Sequence, residues 1–311
     1  MPGRGSCSKS HAMILRKDSS APCPTGSESA SRRGEQAFPC PALRPFVDRY
    51  WTWEAGSSQS TLQPRFFPGT GMELIFHYGP PFNYRLGAGE LRQAAPAHVM
   101  CLRETSAELF PAEHTGFLSV RLRSGAFNRF CPTPAGHLTD GFTDARDLFG
   151  VALGDMELRI AEAGDFFSRV ALVEAFLLEC FTARAGEWDE RIFAAAQQLY
   201  YGYAEGIVDS ALALAGVGIR QFQRRFQEDM GMGPRQFIKV SRFHHAVRSL
   251  LLNEAESLLE VALQHGYYDQ SHCIRDFRMF ASMRPSDFLP VAPRMTHFYN
   301  TSRPAGFRDA P

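Results

Sequence analysis

The chain has 311 residues, of which 44% are hydrophobic and 21% are charged. This is typical of a soluble globular protein and is long enough for two domains, each with its own core. The 33 Lys and Arg residues balance 33 Asp and Glu residues, giving a formal net charge of +0, so no global basic field would draw the protein onto nucleic acid. No apolar run reaches the ~18–20 residues of a membrane span, which excludes a helical membrane anchor and a membrane partner.

The cysteines predict reduced thiols in a cytoplasmic protein. Their number is odd, and no two have a C-x-x-C or other metal-ligand spacing. Disulfides are rare in the cytosol, so several of these thiols should be buried. We therefore predict no metal and no cofactor. The cysteines are Cys7, Cys23, Cys40, Cys101, Cys131, Cys180 and Cys273.

The first 37 residues predict a disordered leader. They are rich in Ser, Gly, Pro, Arg and Ala and have no apolar periodicity. Such a segment buries too little apolar surface to offset the entropy of ordering.

Residues 38–150 predict a β-rich domain. A turn at Pro68–Gly71 precedes a strand in which Met72, Leu74 and Phe76 alternate with Glu73, Ile75 and His77. In the run 117–123, apolar and polar residues alternate as in a strand with one face towards solvent. The predicted strands lie within 46–53, 72–78, 98–103 and 117–123.

The histidines and aromatic residues of this region could in principle form a metal site or a ligand pocket. His77, His98 and His114 lack the close spacing of a metal site, so structural roles are expected. An aromatic set could line a ligand pocket or form an ordinary core. Its members are Trp51, Trp53, Phe66, Phe76 and Tyr78.

Residues 151–188 predict a helical linker. Apolar residues recur at spacings of three and four from Met156 to Cys180. This helix could support a dimer or pack against the sheet. Residues 183–187 (ARAGE) predict a hinge, and Asp189 then caps a further helix.

The C-terminal third contains one supersecondary unit twice. Residues 216–237 read GVGIRQFQRRFQEDMGMGPRQF, and residues 266–288 read GYYDQSHCIRDFRMFASMRPSDF. A constant offset of 51 relates the two copies, as 277 − 226 and 288 − 237 show. The matched pairs are Arg224 and Arg275, Phe226 and Phe277, Met232 and Met283, Pro234 and Pro285, and Phe237 and Phe288.

Each copy predicts two helices joined by a tight turn. In the first, Gly216 ends a helix over about 207–215, and a second helix runs from about Gly218 to Asp229. Ile219, Phe222 and Phe226 are expected to face inwards. In the second copy, Ser257 and Glu260 fit a capping box, and Gly266 ends the first helix. Asp269 then caps the second helix, with Cys273 and Phe277 inwards. A helix-turn-helix of this kind places its second helix in the DNA major groove.

A long helix is predicted to join the two copies. It opens at Pro234, a favoured first helical residue. Its apolar stripe is expected to face both copies. Lys239 lies on another face, where it could contact phosphate or solvent. The stripe comprises Phe237, Val240, Phe243, Val247, Leu250 and Leu251.

These two motifs resemble the paired helix-turn-helix domain of AraC/XylS-type bacterial transcription regulators, over roughly residues 189–290. The resemblance implies an α+β two-domain protein: a β-rich N-terminal sensing or pairing domain and an all-α C-terminal domain, followed by a tail over 291–311. It implies no enzyme activity. It implies double-stranded DNA as partner, with a small-molecule effector or homodimerisation as control, and RNA polymerase if the protein is an activator. The sequence RFFPGTGMELIFH (65–77) resembles the N-terminal region of one branch of this family.

Matching the motif position by position implies two sets of DNA-reading residues. In addition, Arg278 and Lys239 are expected to contact phosphate. The first set is Arg220, Gln221, Gln223 and Arg224. The second set is Gln270, Ser271 and Arg275. Gly218 and Ser282 depart from the family pattern, in which Ser and Gly are usual.

Two other functions compete with DNA reading. Residues 189–289 contain eleven Arg and Lys against twelve Asp and Glu, a balance that favours a ligand-binding module without DNA-reading function. The exposed Arg and Gln faces argue against it. A regulator that accepts alkyl groups on Cys40 or Cys101 would need a low thiol pKa, which no cysteine cluster supplies.

Overall fold

A computed structural model describes residues 35–55, 64–184, 188–203, 205–252 and 257–288. The predicted leader therefore lies outside the described residues up to 34, but its last two residues, Gln36–Ala37, form a strand. Most of the predicted hinge and the tail after 290 also lie outside. None of the helices in the described ranges is long and apolar enough to cross a membrane.

The described residues of the N-terminal region form ten antiparallel strands in two sheets. The six-stranded sheet has the order β1-β2-β9-β4-β7-β10, and the four-stranded sheet has the order β3-β8-β5-β6. The strands are β1 (Gln36–Ala37), β2 (Val47–Glu54), β3 (Arg65–Phe66), β4 (Met72–His77), β5 (Asn83–Leu86), β6 (Leu91–Gln93), β7 (Ala97–Cys101), β8 (Ala107–Phe110), β9 (Gly116–Leu122) and β10 (Gly141–Asp144).

The central strands of the six-stranded sheet are buried on both faces, which corrects the prediction that β9 faces solvent on one side. All six residues of β4 are buried, including Glu73 and His77, and Ser119 of β9 is fully buried. Trp51, Ile75 and Phe117 belong to an apolar cluster shared with the smaller sheet. The alternating polar residues therefore lie beneath other elements, where Glu73 accepts hydrogen bonds from Trp51 and Ser119.

Helices cover the other face of this sheet. They are α1 (Ala145–Phe149), α2 (Met156–Glu162) and α3 (Phe166–Ala183). The inward side of α3 is the predicted apolar stripe, including Val173 and Leu177, and it packs on Leu118 and Val120 of β9. Of the two roles left open for this segment, packing against the sheet is the one observed. Phe76 lies in this cluster, and the other aromatic residues left open lie in or beside an apolar core.

The C-terminal region is all-α, as predicted. Its helices are α4 (Glu190–Tyr201), α5 (Ile207–Ala215), α6 (Ile219–Met230), α7 (Pro234–Leu252), α8 (Leu258–Gln264), α9 (Gln270–Ala281) and α10 (Pro285–Phe288). The predicted stripe of α7 is buried along its whole length. Asp189 caps α4 by accepting from the backbone N–H of Arg191.

The two regions share part of their apolar core. One continuous apolar cluster runs from between the two sheets into the helical region, joining Trp51 and Phe67 to Phe222, Phe243 and Phe277. The described residues of both regions accordingly belong to one compact unit. The two regions differ in secondary structure but share this cluster, while a second cluster, between the six-stranded sheet and α1–α3, belongs to the N-terminal region alone.

Candidate nucleic-acid interface

The first helix-turn-helix consists of α5 and α6. Gly216 ends α5 in the left-handed conformation (φ 65°), and Gly218 occupies the N-cap of α6 with extended backbone. Phe222 and Phe226 are buried on the inner face of α6, as predicted. Ile219 is 55% exposed, so its predicted inward position is wrong. It is the first residue of the helix, whose buried contacts begin only one turn later.

The outer face of α6 carries exposed Arg and Gln side chains. All four predicted reading residues are exposed: Arg220, Gln221, Gln223 and Arg224. Gln227 is also exposed, one turn beyond Gln223 and Arg224. Sequence analysis did not single it out, although the offset of 51 pairs it with Arg278. The helix therefore presents a polar surface with at least two guanidinium groups.

The second helix-turn-helix consists of α8 and α9. The capping box is formed: the backbone N–H of Ser257 donates to Glu260 at 2.8 Å, and that of Glu260 donates to the Ser257 hydroxyl at 3.2 Å. Gly266 is left-handed (φ 73°). Asp269 caps α9 by accepting from the backbone N–H of His272 at 2.7 Å. Ser282 ends α9 in the left-handed conformation (φ 54°), which a residue with a Cβ adopts at a cost.

The outer face of α9 matches that of α6. Gln270, Ser271, Arg275 and Arg278 are all exposed, whereas Cys273 and Phe277 are fully buried. Tyr268 is 89% exposed just before the helix. Sequence analysis missed it because an aromatic residue in an apolar pattern is normally assigned to the core.

Lys239 is engaged within the protein. Its ammonium lies 3.7 Å from a carboxylate oxygen of Asp276 and 3.2 Å from the sulfur of Met279. Asp276 is 1% exposed and also pairs with Arg242 at 3.4 Å. The phosphate contact of Lys239 stays a prediction, and it would compete with this ion pair.

The end of α6 is held by the N-terminal region. Asp229 accepts a hydrogen bond of 2.7 Å from the side-chain amide of Asn128. Burial raises the pKa of the Asp229 carboxyl to about 6, because removal from water disfavours the charged form. Beside this contact lies a cleft of about 550 Å³, lined by residues that include Arg129, Trp188 and Arg225.

The histidines and cysteines of the β-rich region lie in apolar surroundings. Burial lowers the pKa of His77 to about 3 and that of His98 to about 4, so both rings are neutral near pH 7. Among the described residues, no three His, Cys, Asp or Glu side chains are placed to hold a metal ion. Burial raises the pKa of the Cys40 and Cys101 thiols, the opposite of what an alkyl-accepting cysteine needs.

Comparisons with known proteins agree with this geometry. Residues 212–290 match a family model described as a helix-turn-helix domain, and residues 35–144 match one described as a domain of unknown function. A Haemophilus influenzae protein named an uncharacterized HTH-type transcriptional regulator is 30% identical over 81 residues. The matched segment is 26% of this chain and 27% of that protein, so this chain spans about a quarter of that relative.

Solved structures of ToxT from Vibrio cholerae are also similar. ToxT from strain O395 is 11% identical, with 78% of this chain and 98% of that chain covered and a TM-score of 0.42. The same protein bound to (E)-4-(8-methylnaphthalen-1-yl)but-3-enoic acid is 10% identical, with 78% and 97% covered and a TM-score of 0.41. Likeness at this level carries no functional argument.

Proposed function

We propose that this protein, whose C-terminal region is a paired helix-turn-helix domain of the AraC/XylS type, is a sequence-specific DNA-binding transcription regulator. The observation that carries the proposal is the repeated geometry. Two helices, α6 and α9, each bury an aromatic face and expose Arg with Gln or Ser on the other, at one constant offset in the chain. Two such helices would enter successive segments of the major groove.

The exposed side chains supply the hydrogen bonds that base reading needs. Arg220 and Arg224 can each donate two hydrogen bonds to guanine O6 and N7, and Gln221, Gln223 and Gln270 can pair with adenine N6 and N7. Each good pair contributes about 1–3 kcal/mol of discrimination against the wrong base. Ser271 and Arg275 would complete the second reading set, and Arg278 would hold phosphate and set the register.

Selection from random duplexes tests the proposal. The full chain is used, because the helical region shares its core with the sheets, and binding is measured at two salt concentrations. We expect a bipartite motif with half-sites about 10 bp apart. Salt-sensitive binding without a preferred sequence, or no binding, would overturn the proposal.

Two variants distinguish residues that contact bases from residues that contact the phosphate backbone. Arg224→Ala should relax the preference at one base position, because it removes a guanine contact. Lys239→Ala should weaken binding to all sequences alike, because a phosphate contact carries no sequence information. If both variants keep the wild-type affinity and preference, the assignment of the reading surface is wrong.

We propose in addition that the N-terminal region controls DNA reading by binding a small-molecule effector or by forming a homodimer, with RNA polymerase as a further partner if the protein is an activator. The cleft beside Asp229 supports effector control, since a ligand there would touch both the N-terminal region and the end of α6. Trp188 lines the cleft and offers a fluorescence signal. Compounds that shift DNA affinity should change its emission. A dominant effect of protein concentration on DNA affinity, without any ligand effect, would favour dimerisation instead.

A further inference from the structure

The turn Phe67–Gly71 lies where the two regions of the protein meet. It belongs to the segment RFFPGTGMELIFH (65–77), to which the proposed function assigns no role. We infer that this turn, together with Arg103, fixes the position of the two reading helices relative to each other and so sets the spacing between the two DNA half-sites. This inference rests on the proposed function.

Arg103 connects the turn to the first reading helix. Its side chain is buried, at 2% exposure. One terminal nitrogen donates to the carbonyl oxygens of Gly69 at 2.8 Å and Gly71 at 2.6 Å, while Nε donates to the carbonyl oxygen of Met230 at 2.9 Å. Met230 is the last residue of α6, where carbonyls lack partners within the helix and a cation is favoured by the helix dipole.

The backbone at Gly71 fits this arrangement closely. A Cβ atom at this position would lie 2.5 Å from the carbonyl oxygen of Leu122 in β9. The turn therefore packs directly on the sheet, and its carbonyls are held where Arg103 meets them. A side chain at position 71 would force the turn to move.

Phe67 connects the same turn to the second reading helix. Its ring centroid lies 6.2 Å from that of Phe243 in α7 and 5.7 Å from that of Phe288 in α10. Phe243 in turn packs on the buried face of α9, 5.2 Å from Phe277 and 5.0 Å from Phe280. Phe67 is 6% exposed, so this chain of rings runs inside the shared core.

A third contact connects the turn to α4, the helix that precedes both helix-turn-helix motifs. The hydroxyl of Thr70 lies 2.6 Å from that of Ser124. The Ser124 carbonyl accepts a hydrogen bond of 2.8 Å from the side-chain amide of Gln197 in α4. One turn of the N-terminal region is thus linked through Arg103 to the end of α6, through Phe243 to the buried face of α9, and through Ser124 to α4.

The spacing between half-sites reports directly on this arrangement. Each inserted base pair rotates one half-site by about 34° and moves it by about 3.4 Å. A rigid pair of reading helices rejects the change, whereas a looser pair tolerates it. Since α7 also joins the two helix-turn-helix motifs, the experiment must separate the effect of the turn on half-site spacing from that of α7.

The experiment measures the affinity of the full chain for its selected duplex and for duplexes with one base pair inserted or removed between the half-sites. The variants are Arg103→Met and the more conservative Phe67→Leu, with folding checked by thermal melting. The control is Arg85→Met, a loss of a partly exposed arginine whose ion pair, with Glu108, stays within the smaller sheet.

We expect the wild type and the Arg85→Met control to lose at least about fivefold in affinity on each spacing change, the scale of one mismatched base pair. Arg103→Met and Phe67→Leu should reduce this loss to about twofold or less and keep the base preferences within each half-site. An unchanged loss would overturn the inference and assign the spacing to α7 alone. Altered base preferences within a half-site would also overturn it, because the residues would then maintain helix structure rather than spacing. If the wild type selects no duplex, the proposed function itself fails.

Discussion

Replacement of Asp276 by Asn should destabilise the protein more than an exposed change of the same kind. Asp276 lies on the inner side of α9 at 1% exposure, beside the exposed Arg275. Its carboxylate faces two cations, with Arg242 at 3.4 Å and Lys239 at 3.7 Å. The amide of Asn has nearly the same shape but no charge, so both cations would lose their counter-ion while the packing stays the same.

The structure sets the size of the effect. Removing one partner of a fully buried ion pair costs about 3–5 kcal/mol. The side chains of Arg242 and Lys239 are 16% and 29% exposed, so water compensates part of that loss. Arg242 also keeps a hydrogen bond to the Gly266 carbonyl and its position over the Tyr267 ring. We therefore expect a loss of about 2 kcal/mol in the free energy of unfolding.

Urea unfolding of the full chain measures this loss as a shift in midpoint at constant slope. Asp155→Asn is the matched control, because Asp155 pairs with Arg159 at 3.9 Å with both side chains at least half exposed. Such a pair contributes less than about 1 kcal/mol. If Asp276→Asn costs no more than Asp155→Asn, the ion pair beneath α9 does not stabilise the domain and the reasoning fails.

Three further changes test separate features. Ser257→Ala breaks the capping box of α8 and should cost about 1 kcal/mol in chemical unfolding; an unchanged midpoint would contradict the observed cap. Ser282→Gly relieves a left-handed residue with a Cβ at the end of α9 and should stabilise by about 1 kcal/mol, whereas any loss of stability would show that the Ser side chain matters more than the backbone. The pKa of Asp229 is raised to about 6 in the folded protein, from about 3.9 in the unfolded chain. The charged carboxylate therefore lowers the free energy of unfolding progressively between pH 4 and pH 6, and by a constant amount above pH 6. Asp229→Asn should therefore raise the melting temperature more at pH 8 than at pH 4, and an equal rise at both would refute this.

The helical region could be predicted from sequence because its signals are local. Gly216 and Gly266 end helices through their own backbone freedom, and Ser257 and Asp269 cap helices through bonds to residues three positions away. Pro234 opens α7 in the same local manner. Because the two motifs are related by a constant offset of 51 residues, a residue's role in one motif predicts the role of its counterpart in the other.

The shared core could not be predicted, because it depends on contacts between distant segments. Alternation in β4 and β9 indicates which residues point to opposite faces, but not what covers those faces. Glu73 follows the alternation of β4, but the pattern does not show that it is 3% exposed with Arg121 at 2.8 Å. Arg103 likewise carries no sequence signal, since its partners lie more than 30 and more than 120 positions away.

The neutral overall charge does not argue against DNA binding once charges are assigned to faces. On α9 the exposed charged residues are Arg275 and Arg278, while Asp276 is buried beneath them. On α6, Asp229 is half-buried against Asn128 at the end of the helix, away from Arg220. Two of the three acidic side chains within these helices thus make internal contacts, whereas Glu228, near the end of α6, is exposed. Because the outer faces carry Arg220, Arg224, Arg275 and Arg278, the surface that would meet phosphate is more basic than the sum over residues 189–289. A field confined to two helix faces attracts DNA only at short range, within a Debye length of about 8 Å at physiological salt. Such a protein would discriminate mainly through its base contacts rather than through general attraction to the backbone.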